Sequence, residues 1–313
     1  MSALQPLQAR ACSHPRRQPV WGGVLSRCEQ CGLVATPQVG DFEYAEDYFV
    51  GGECGYDFDS PASRAIDAAR FECELAMLEK RGLRGSVLDV GCAVGTFLVH
   101  AKQHGWDVEG VEIADFAREE ATRRLGIDIK RDLSLLPAGR RYDLVTLHHV
   151  LEHIPEPAEF LAREVAPTVG GLLLIEVPNF ASLDAQVHGP GWKDLRLEQH
   201  LHHFEPETLR GIVTAAGFEV RSVYTLAEPL FSLNAGKRML LMLAGLARSR
   251  RFGPADVVPS QHGSAPNWTP PRGLRAAAIR AVHLGFLPLI RLLERTNRAE
   301  RLVVEAQLPS ERR

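Results

Sequence analysis

The chain has 313 residues, of which 45% are hydrophobic and 24% are charged, so it has enough apolar material for a globular core. Its formal net charge of −3 provides no basic field, and we expect no nucleic-acid partner. Six cysteines are too few for a disulfide scaffold. The sequence shows neither a secretory signal nor an apolar run long enough for a membrane span, which favours a cytoplasmic protein.

Strand-like and helix-like segments alternate after about residue 60. A first helix is predicted to begin at Ser60-Pro61, where proline suits the first turn. Short apolar runs predict strands, and the segments between them predict helices. The strand segments are 86–90, 107–113, 142–148 and 171–177, and the helical ones are 96–104, 114–125 and 156–166. This order predicts an α/β fold with a doubly wound, mostly parallel sheet, in which ligands lie at the carboxyl ends of the strands.

A small-residue loop follows the first of these strands, in VLDVGCAVGTFLVH at residues 87–100. Glycine just after a strand allows a sharp turn, and small residues allow a ligand to approach the main chain. A dinucleotide fingerprint starting at Gly91 needs glycines at positions 93 and 96, where the chain has Ala93 and Thr96. The remaining interpretation is a DxGxxxG cofactor loop that begins at Asp89, and the alternative is a tight turn without a ligand.

Acidic residues stand near the ends of the next two predicted strands. Glu112 lies 21 residues after Gly91, where a carboxylate can accept both hydroxyls of a ribose. Asp132 follows a third short strand and suits hydrogen bonding to an exocyclic amine, although it can equally be a solvated loop acid.

Five segments together resemble class I S-adenosylmethionine (SAM)-dependent methyltransferases, in the broad group that includes ubiquinone-pathway O-methyltransferases and sugar methyltransferases. The segments run in order between residues 60 and 227 and are VLDVGCAVGTFL, GVEIADFA, RYDLVTLHHVLEHIPEP, GGLLLIEVPN and QHLHHFEPETLRGIVTAAGFEV. The resemblance implies a Rossmann-like sheet of seven strands and a SAM-binding domain at residues 60–227.

The resemblance also implies which residues bind SAM. The loop would contact the cofactor directly, Glu112 would bind the ribose, Asp132 and Leu133 would flank the adenine, and His148 would lie near the methionine part. The implied set is Asp89, Gly91, Ala93, Gly95, Glu112, Ile113, Asp132, Leu133 and His148. Ala93 stands where the family more often has glycine, and we expect this small residue to be tolerated.

Histidines supply candidate bases, because imidazole titrates near neutral pH and a hydroxyl or carbon acceptor benefits from proton removal. Our candidates are His149, His200 and His203, while His153 suits packing or capping. The alternative is that most of these histidines are structural. Alternation in an extended QHLHHF segment would place His200 and His202 on one side and His203 on the other.

The N-terminal segment, residues 1–59, contains two further features. Cys12, His14, Cys28 and Cys31 form a set of sulfur and nitrogen ligands that can hold zinc tetrahedrally, and the segment resembles the zinc-binding module that precedes some sugar C-methyltransferases. The close Cys12-x-His14 spacing is awkward for chelation, so the alternative is a reduced CxxC turn. The aromatic stretch after it predicts a lid, with Tyr44, Tyr48 or Tyr56 reaching the acceptor, or a surface loop.

The C-terminal region predicts a helical insert at 228–299 and a final antiparallel strand within 300–313, at ERLVVEAQL. Within the insert, apolar residues and arginines recur on separate helical faces from about 279 to 295. Such a basic amphipathic helix can lie on an anionic membrane surface, or it can pack on the domain or on a second subunit.

These features predict a methyltransferase that uses SAM, by in-line displacement, on a small-molecule or glycan acceptor. Two rival classes are a nicotinamide-dependent oxidoreductase, which the missing third glycine disfavours, and a non-catalytic SAM-binding scaffold. The acceptor stays open because acceptor pockets are built from variable loops.

Overall fold

The computed structural model describes residues 16–37, 44–50, 61–227 and 290–310, together with residues 12, 14 and 42. Most of the predicted helical insert lies outside these residues, as do Cys54 and Tyr56. The membrane-surface helix is therefore described only from Ile290, where residues 290–295 are helical. Among the described residues, none of the helices combines the length and apolarity that crossing a bilayer requires.

Besides the helical residues 290–295, the described residues contain ten strands and seven α-helices, with short 3₁₀ turns and one π-helical turn (Leu161–Val165) between them. The strands are β1 (Arg17–Val20), β2 (Leu25–Cys28), β3 (Val34–Ala35), β4 (Ser86–Val90), β5 (Asp107–Val111), β6 (Tyr142–His148), β7 (Val169–Pro178), β8 (His202–His203), β9 (Glu219–Leu226) and β10 (Arg301–Gln307). The helices are α1 (Glu46–Phe49), α2 (Pro61–Lys80), α3 (Thr96–Gln103), α4 (Asp115–Leu125), α5 (Pro157–Phe160), α6 (Leu183–His188) and α7 (Pro206–Ala215).

The larger sheet has six strands in the order β5-β4-β6-β7-β10-β9. The first four are mutually parallel, and β10 runs antiparallel to both of its neighbours. This arrangement confirms the doubly wound, mostly parallel sheet and the late final strand. The seventh strand position is reduced to a single parallel bridge between Val111 and Lys130.

Alternating burial explains why the central strands form a two-faced core. In β4 and β6, Leu88 and Val145 pack on one face, while Val87 and Leu144 pack on the other. All four side chains are fully buried, and burying each one contributes roughly 1.5–3 kcal/mol. Helices on both faces are what such strands require, and the carboxyl ends of the strands are left to carry polar residues.

A second, four-stranded sheet has the order β1-β2-β3-β8 and is antiparallel throughout. Its first three strands come from the N-terminal segment, but β8 comes from the middle of the methyltransferase-like region. The two parts of the chain therefore share one sheet, which places the N-terminal segment directly beside the carboxyl edge of the larger sheet.

Candidate functional site

The loop after β4 makes the sharp turn that its glycines predict. Gly91 and Gly95 have φ values of 74° and 75°, and Ala93 has φ of 47°. The amides of Gly91 and Cys92 both donate to the carbonyl of Val111, at 2.8 and 3.0 Å. A Cβ at position 91 would lie 2.5 Å from Val150 Cγ2, so only glycine fits there. Ala93 adopts a left-handed conformation that costs an L-residue roughly 1–2 kcal/mol.

Glu112 fixes this loop from the end of β5. Its Oε2 accepts from the amide of Ala93 and its Oε1 accepts from the amide of Ala114, both at 2.8 Å. The side chain is buried, and this burial raises the pKa of Glu112, although the amide donors offset part of the effect. Each carboxylate oxygen keeps a second lone pair. The geometry therefore fits a residue that shapes the loop and also accepts two ribose hydroxyls.

Ile113 and Asp132 are the next residues predicted to contact the adenosine part of the cofactor. Ile113 is 64% exposed, which is unusual for a large apolar side chain and suits contact with a flat ring. Asp132 caps the turn at Leu133–Leu135, because its Oδ1 accepts from the amide and hydroxyl of Ser134. Its Oδ2 has no hydrogen-bond partner among the described residues. An exposed apolar side chain and a carboxylate oxygen without a partner among the described residues thus stand at these two predicted positions.

His148 lies between two carboxylates at the carboxyl end of β6. Its Nε2 lies 3.0 Å from Glu74 Oε1 on α2, and its Nδ1 lies 3.5 Å from Asp89 Oδ1. Thr146 donates to the same Asp89 oxygen at 2.7 Å. Burial alone would lower the pKa of His148, but Glu74 and Asp89 outweigh it and raise the pKa to about 10. An imidazolium therefore stands beside Asp89 at neutral pH.

His149, whose side chain is 37% exposed, joins a separate network of charges around the buried Glu152 and Glu176. Glu176 at the end of β7 accepts from Arg70 at 2.5 Å and from Arg301 at 3.0 Å, and lies 3.2 Å from His149 Nε2. The other imidazole nitrogen lies 3.2 Å from Glu152. Burial lowers the pKa of His149, but the two carboxylates raise it to about 9 overall. His149 is consequently protonated at neutral pH and can act as a base only after losing this proton.

Glu152, His153 and His200 converge on one point. Their potential ligand atoms all lie within 4.8 Å of one another. His200 Nδ1 donates to the carbonyl of Asp194 at 2.8 Å and His153 Nδ1 donates to that of Gln199 at 3.1 Å, which leaves each Nε2 with a lone pair. Burial lowers the pKa of both histidines, so both are neutral.

Glu152 adds a buried carboxylate oxygen to this group. Its Oε2 is buried without a hydrogen-bond partner in the described part of the chain. One ring nitrogen of each histidine and one carboxylate oxygen of Glu152 thus lie close together. A hydroxyl or a cation would satisfy these atoms, which we call the acceptor cluster (Glu152, His153 and His200).

Tyr44 connects this cluster to the cofactor loop. Its hydroxyl lies 2.9 Å from His153 Nδ1, and its ring packs in a cluster that includes Tyr48 and Ala93. Burial raises the pKa of Tyr44, and the nearby charges of Glu152 and Glu112 raise it further. Tyr44 therefore lies near both Glu112 and Glu152.

The three histidines of QHLHHF do not alternate as predicted. The His200 and His203 rings lie 6.3 Å apart, whereas His202 turns away and its Nε2 lies 3.0 Å from the carbonyl of Pro155. The expected pairing of His200 with His202 was wrong because only His202–His203 is extended. His200 closes a turn instead, because its amide donates to the backbone carbonyl of Arg196 at 2.8 Å.

His203 is buried in β8 and packs against Phe180. Its Nε2 lies 3.1 Å from the hydroxyl of Thr36. Burial lowers the pKa of His203 to about 3, so it is neutral and bonded to the N-terminal sheet.

The N-terminal sulfur and nitrogen ligands also converge. Cys12 Sγ lies 3.7 Å from Cys28 Sγ, and Cys31 Sγ lies 3.4 Å from His14 Nδ1. Tetrahedral zinc, with Zn–S of about 2.3 Å and Zn–N of about 2.0 Å, separates two sulfurs by about 3.8 Å and sulfur from nitrogen by about 3.5 Å. The close Cys12-x-His14 spacing is accommodated by a left-handed φ of 51° at His14.

The charge state of one ligand agrees with this geometry. Burial raises the pKa of Cys28, but hydrogen bonds from the Cys31 amide and from His14 lower it to about 6 overall. In the neighbouring Cys31, by contrast, burial raises the pKa. A thiolate is the form that binds metal. The donor set of Cys12, His14, Cys28 and Cys31 fits zinc.

Sequence reasoning missed several charged residues around the site. Arg70 and Glu74 lie one turn apart on α2 and reach Glu176 and His148, respectively. The sequence spacing of Arg70 and Glu74 predicts only that they share one face of a helix. Their partners, Glu176 and His148, lie about a hundred and about seventy residues further along the chain. Glu152 carried a readable signal, as an acid enclosed between histidines in HHVLEH.

Comparison with known proteins agrees with this geometry. A family model described as "Methyltransferase domain" matches residues 67–223. The ubiquinone biosynthesis O-methyltransferase of Cereibacter sphaeroides is 30% identical over 168 residues, which cover 49% of this chain and 67% of the relative. The protein of the same name from Idiomarina loihiensis is 28% identical over 158 residues, covering 44% of this chain. The aligned region spans 63% of that relative's length.

The chain can also be aligned with solved structures. A SAM-dependent methyltransferase from Archaeoglobus fulgidus is 22% identical with a TM-score of 0.43, covering 78% of this chain and 93% of the other.

Proposed function

The chain belongs to the methyltransferase-domain family, as a class I SAM-dependent methyltransferase, and we propose that it methylates a hydroxyl oxygen of a small molecule. The observation that carries the choice of a hydroxyl is the acceptor cluster. One ring nitrogen from each of two neutral imidazoles and one oxygen of Glu152 lie within 4.8 Å of one another. Glu152 Oε2 is buried without a hydrogen-bond partner among the described residues. A hydroxyl donates into such a group, and its proton must leave when the oxygen is methylated.

The chain's own residues then have distinct tasks. Bound SAM supplies an activated methyl group, so the protein must position the acceptor, exclude water and receive a proton. SAM is bound by the loop from Gly91 to Gly95, together with Glu112 at the end of β5. Tyr44 lies between this SAM site and the acceptor cluster, because its ring packs on the apolar cluster that includes Val94 of the loop and its hydroxyl lies 2.9 Å from His153 Nδ1.

Proton removal is assigned to the acceptor cluster. His200 Nε2 carries a lone pair, and Glu152 stabilises the imidazolium that forms when this nitrogen takes the proton. The low pKa of buried His200 favours acceptors whose hydroxyl is acidic or loses its proton only as the methyl group arrives. The relatives' names include O-methylation, which supports an oxygen acceptor. Phenols, sugars and glycans all present such a hydroxyl.

Turnover assays with acceptor panels test this proposal. Release of S-adenosylhomocysteine (SAH) from SAM is measured with phenolic and sugar acceptors. His200→Ala and Glu152→Gln are expected to lower kcat about a hundredfold or more, with SAH affinity unchanged. The matched control is His104→Ala, since His104 pairs with Glu72 and Glu79 of α2 rather than with the acceptor cluster. We also expect His149→Ala and His203→Ala to lower turnover more than cofactor affinity.

The outcomes separate the rival classes. Wild-type turnover by His200→Ala and Glu152→Gln would remove the cluster from the mechanism. SAH binding without turnover of any acceptor would favour a scaffold, and binding of NAD in place of SAH would favour an oxidoreductase.

A structural zinc ion is our second proposal, supported by the tetrahedral distances among Cys12, His14, Cys28 and Cys31. Metal analysis of the purified chain is expected to give one zinc per chain, and a stoichiometry near zero would contradict it. The five cysteines that the structure describes are free thiols, as this proposal requires.

A further inference from the structure

The segment that carries His200 is built into the N-terminal sheet. We call residues 199–205 the acceptor segment. Its strand β8 pairs with β3 through His203 opposite Val34 and His202 opposite Ala35. On its other side, Phe204 accepts from the amide of Phe180 at 2.9 Å, next to the end of β7. The acceptor segment therefore lies between the two sheets and depends on both.

Thr36 ties the segment down immediately after β3. Its amide donates to the carbonyl of Leu201 at 3.1 Å, and its hydroxyl donates to the carbonyl of His200 at 2.6 Å. Because that hydroxyl has a single proton, it must accept from His203 Nε2, which lies 3.1 Å away. One residue of the N-terminal segment thus sets the backbone of His200 and the tautomer of His203.

A bidentate ion pair is a second link between the N-terminal sheet and the acceptor segment. Both terminal nitrogens of Arg27, on β2, donate to the carboxylate of Glu205 at 2.7 and 2.8 Å. Arg27 is also bonded to the carbonyl of Gly32, in the turn that follows Cys31. The link therefore starts one residue from the ligand Cys28 and ends at the last residue of the acceptor segment.

The N-terminal sheet has little apolar core of its own. Its buried Val24, Leu25 and Val34 pack against Phe180 and Trp192, which belong to the main domain. Units of fewer than about 40 residues usually need a metal or disulfides to fold. For such units, the free energy of metal binding is free energy of folding. The arrangement of β2 and β3 therefore depends on the ligand set, because Cys28 and Cys31 lie where β2 ends and turns towards β3.

From these contacts we propose that zinc bound by Cys12, His14, Cys28 and Cys31 determines the conformation of the acceptor segment. Zinc loss would disorder the segment and weaken acceptor binding, while the SAM site at β4 and β5 stays intact. This inference rests on the proposed function, which assigns the segment to the acceptor, and on the proposed zinc ion.

Amide hydrogen exchange of the full chain tests the coupling. Exchange is followed by mass spectrometry in zinc-loaded protein, in chelator-treated protein and after zinc is restored. Zinc removal should speed exchange across 199–205 by about tenfold or more, which corresponds to the loss of at least one hydrogen bond. Exchange in β4, and SAH affinity measured by calorimetry, should not change. Restoring zinc should restore protection.

Two variants separate the metal from the link. Thr36→Val keeps every zinc ligand and should speed exchange in the acceptor segment without zinc loss. Cys28→Ser should lose zinc and speed exchange, whereas the matched control Cys73→Ser should do neither, since Cys73 is exposed on α2.

Two results would overturn the coupling between zinc and the acceptor segment. One is that purified wild-type protein contains no zinc, and the other is that exchange across 199–205 is unchanged after zinc removal. Loss of SAH binding on zinc removal would also overturn the claimed independence of the SAM site. A zinc-loaded chain that never binds SAH would instead refute the proposed function, whatever the exchange data show.

Discussion

Replacing Glu112 with glutamine is expected to weaken SAH binding severely. The carboxylate accepts the amides of Ala93 and Ala114 at 2.8 Å each, so both of its oxygens are already oriented by the protein. Glutamine offers one oxygen and one NH₂ group in the same space. Whichever way the amide turns, one backbone N–H faces another donor, and one ribose hydroxyl loses a charged acceptor.

The magnitude follows from these contacts. A hydrogen bond to a charged group contributes about 1.5–3 kcal/mol, and the mismatched amide adds a further cost. A total of about 2–4 kcal/mol corresponds to a roughly 30- to 1000-fold higher Kd for SAH. Isothermal titration calorimetry measures this without any acceptor. Thermal unfolding of the ligand-free variant checks that it is folded.

Asp128→Asn is the matched control for this substitution. Asp128 is exposed, pairs with Lys130 and is not one of the residues assigned to the cofactor. We expect a less than tenfold change in the SAH Kd, about 1.4 kcal/mol at most. If Glu112→Gln bound SAH within about threefold of wild type, the assignment of Glu112 to the ribose would be wrong.

Two further predictions concern stability. Gly91→Ala should destabilise the fold by about 1–3 kcal/mol in thermal unfolding, because its φ is 74° and the new Cβ would lie 2.5 Å from Val150. Gly105→Ala, with φ of 85° and open space around it, should cost less, and equal losses would contradict the steric argument. For His149, a folded pKa of about 9, above the ordinary 6.5, gives stabilisation that is complete below pH 6.5 and lost as pH rises through 9. The difference in urea unfolding free energy between wild type and His149→Gln should therefore shrink over this range, and a constant difference would refute the ion pairs.

The central strands could be predicted from the sequence because local apolar runs determine them. The predicted strands at 86–90 and 142–148 coincide with β4 and β6, and the late strand at 300–308 is β10. Burial on both faces makes such runs almost continuously apolar, which is a signal that a single sequence shows. The cofactor loop was readable for a related reason, since its turn requires small residues at fixed positions.

Contacts between distant residues could not be predicted in this way. The buried Glu176 meets Arg70 and Arg301, which come from α2 and β10, on either side of it in sequence. No local pattern indicates which cation will reach which carboxylate. The pairing of β8 with β3 joins residues about 170 positions apart. His200 consequently lies beside His203, and not beside His202 as the sequence pattern predicted. A two-residue strand is too short for its alternation to be recognised.

Calorimetric titration of the wild-type chain with SAH, with NAD as the competitor, tests the central claim most directly. The two ligands share only their adenosine part, while the loop and Glu112 are assigned to a SAM site. We expect one SAH to bind per chain and NAD to leave that binding unchanged. An absence of SAH binding, or stoichiometric binding of NAD, would contradict the account.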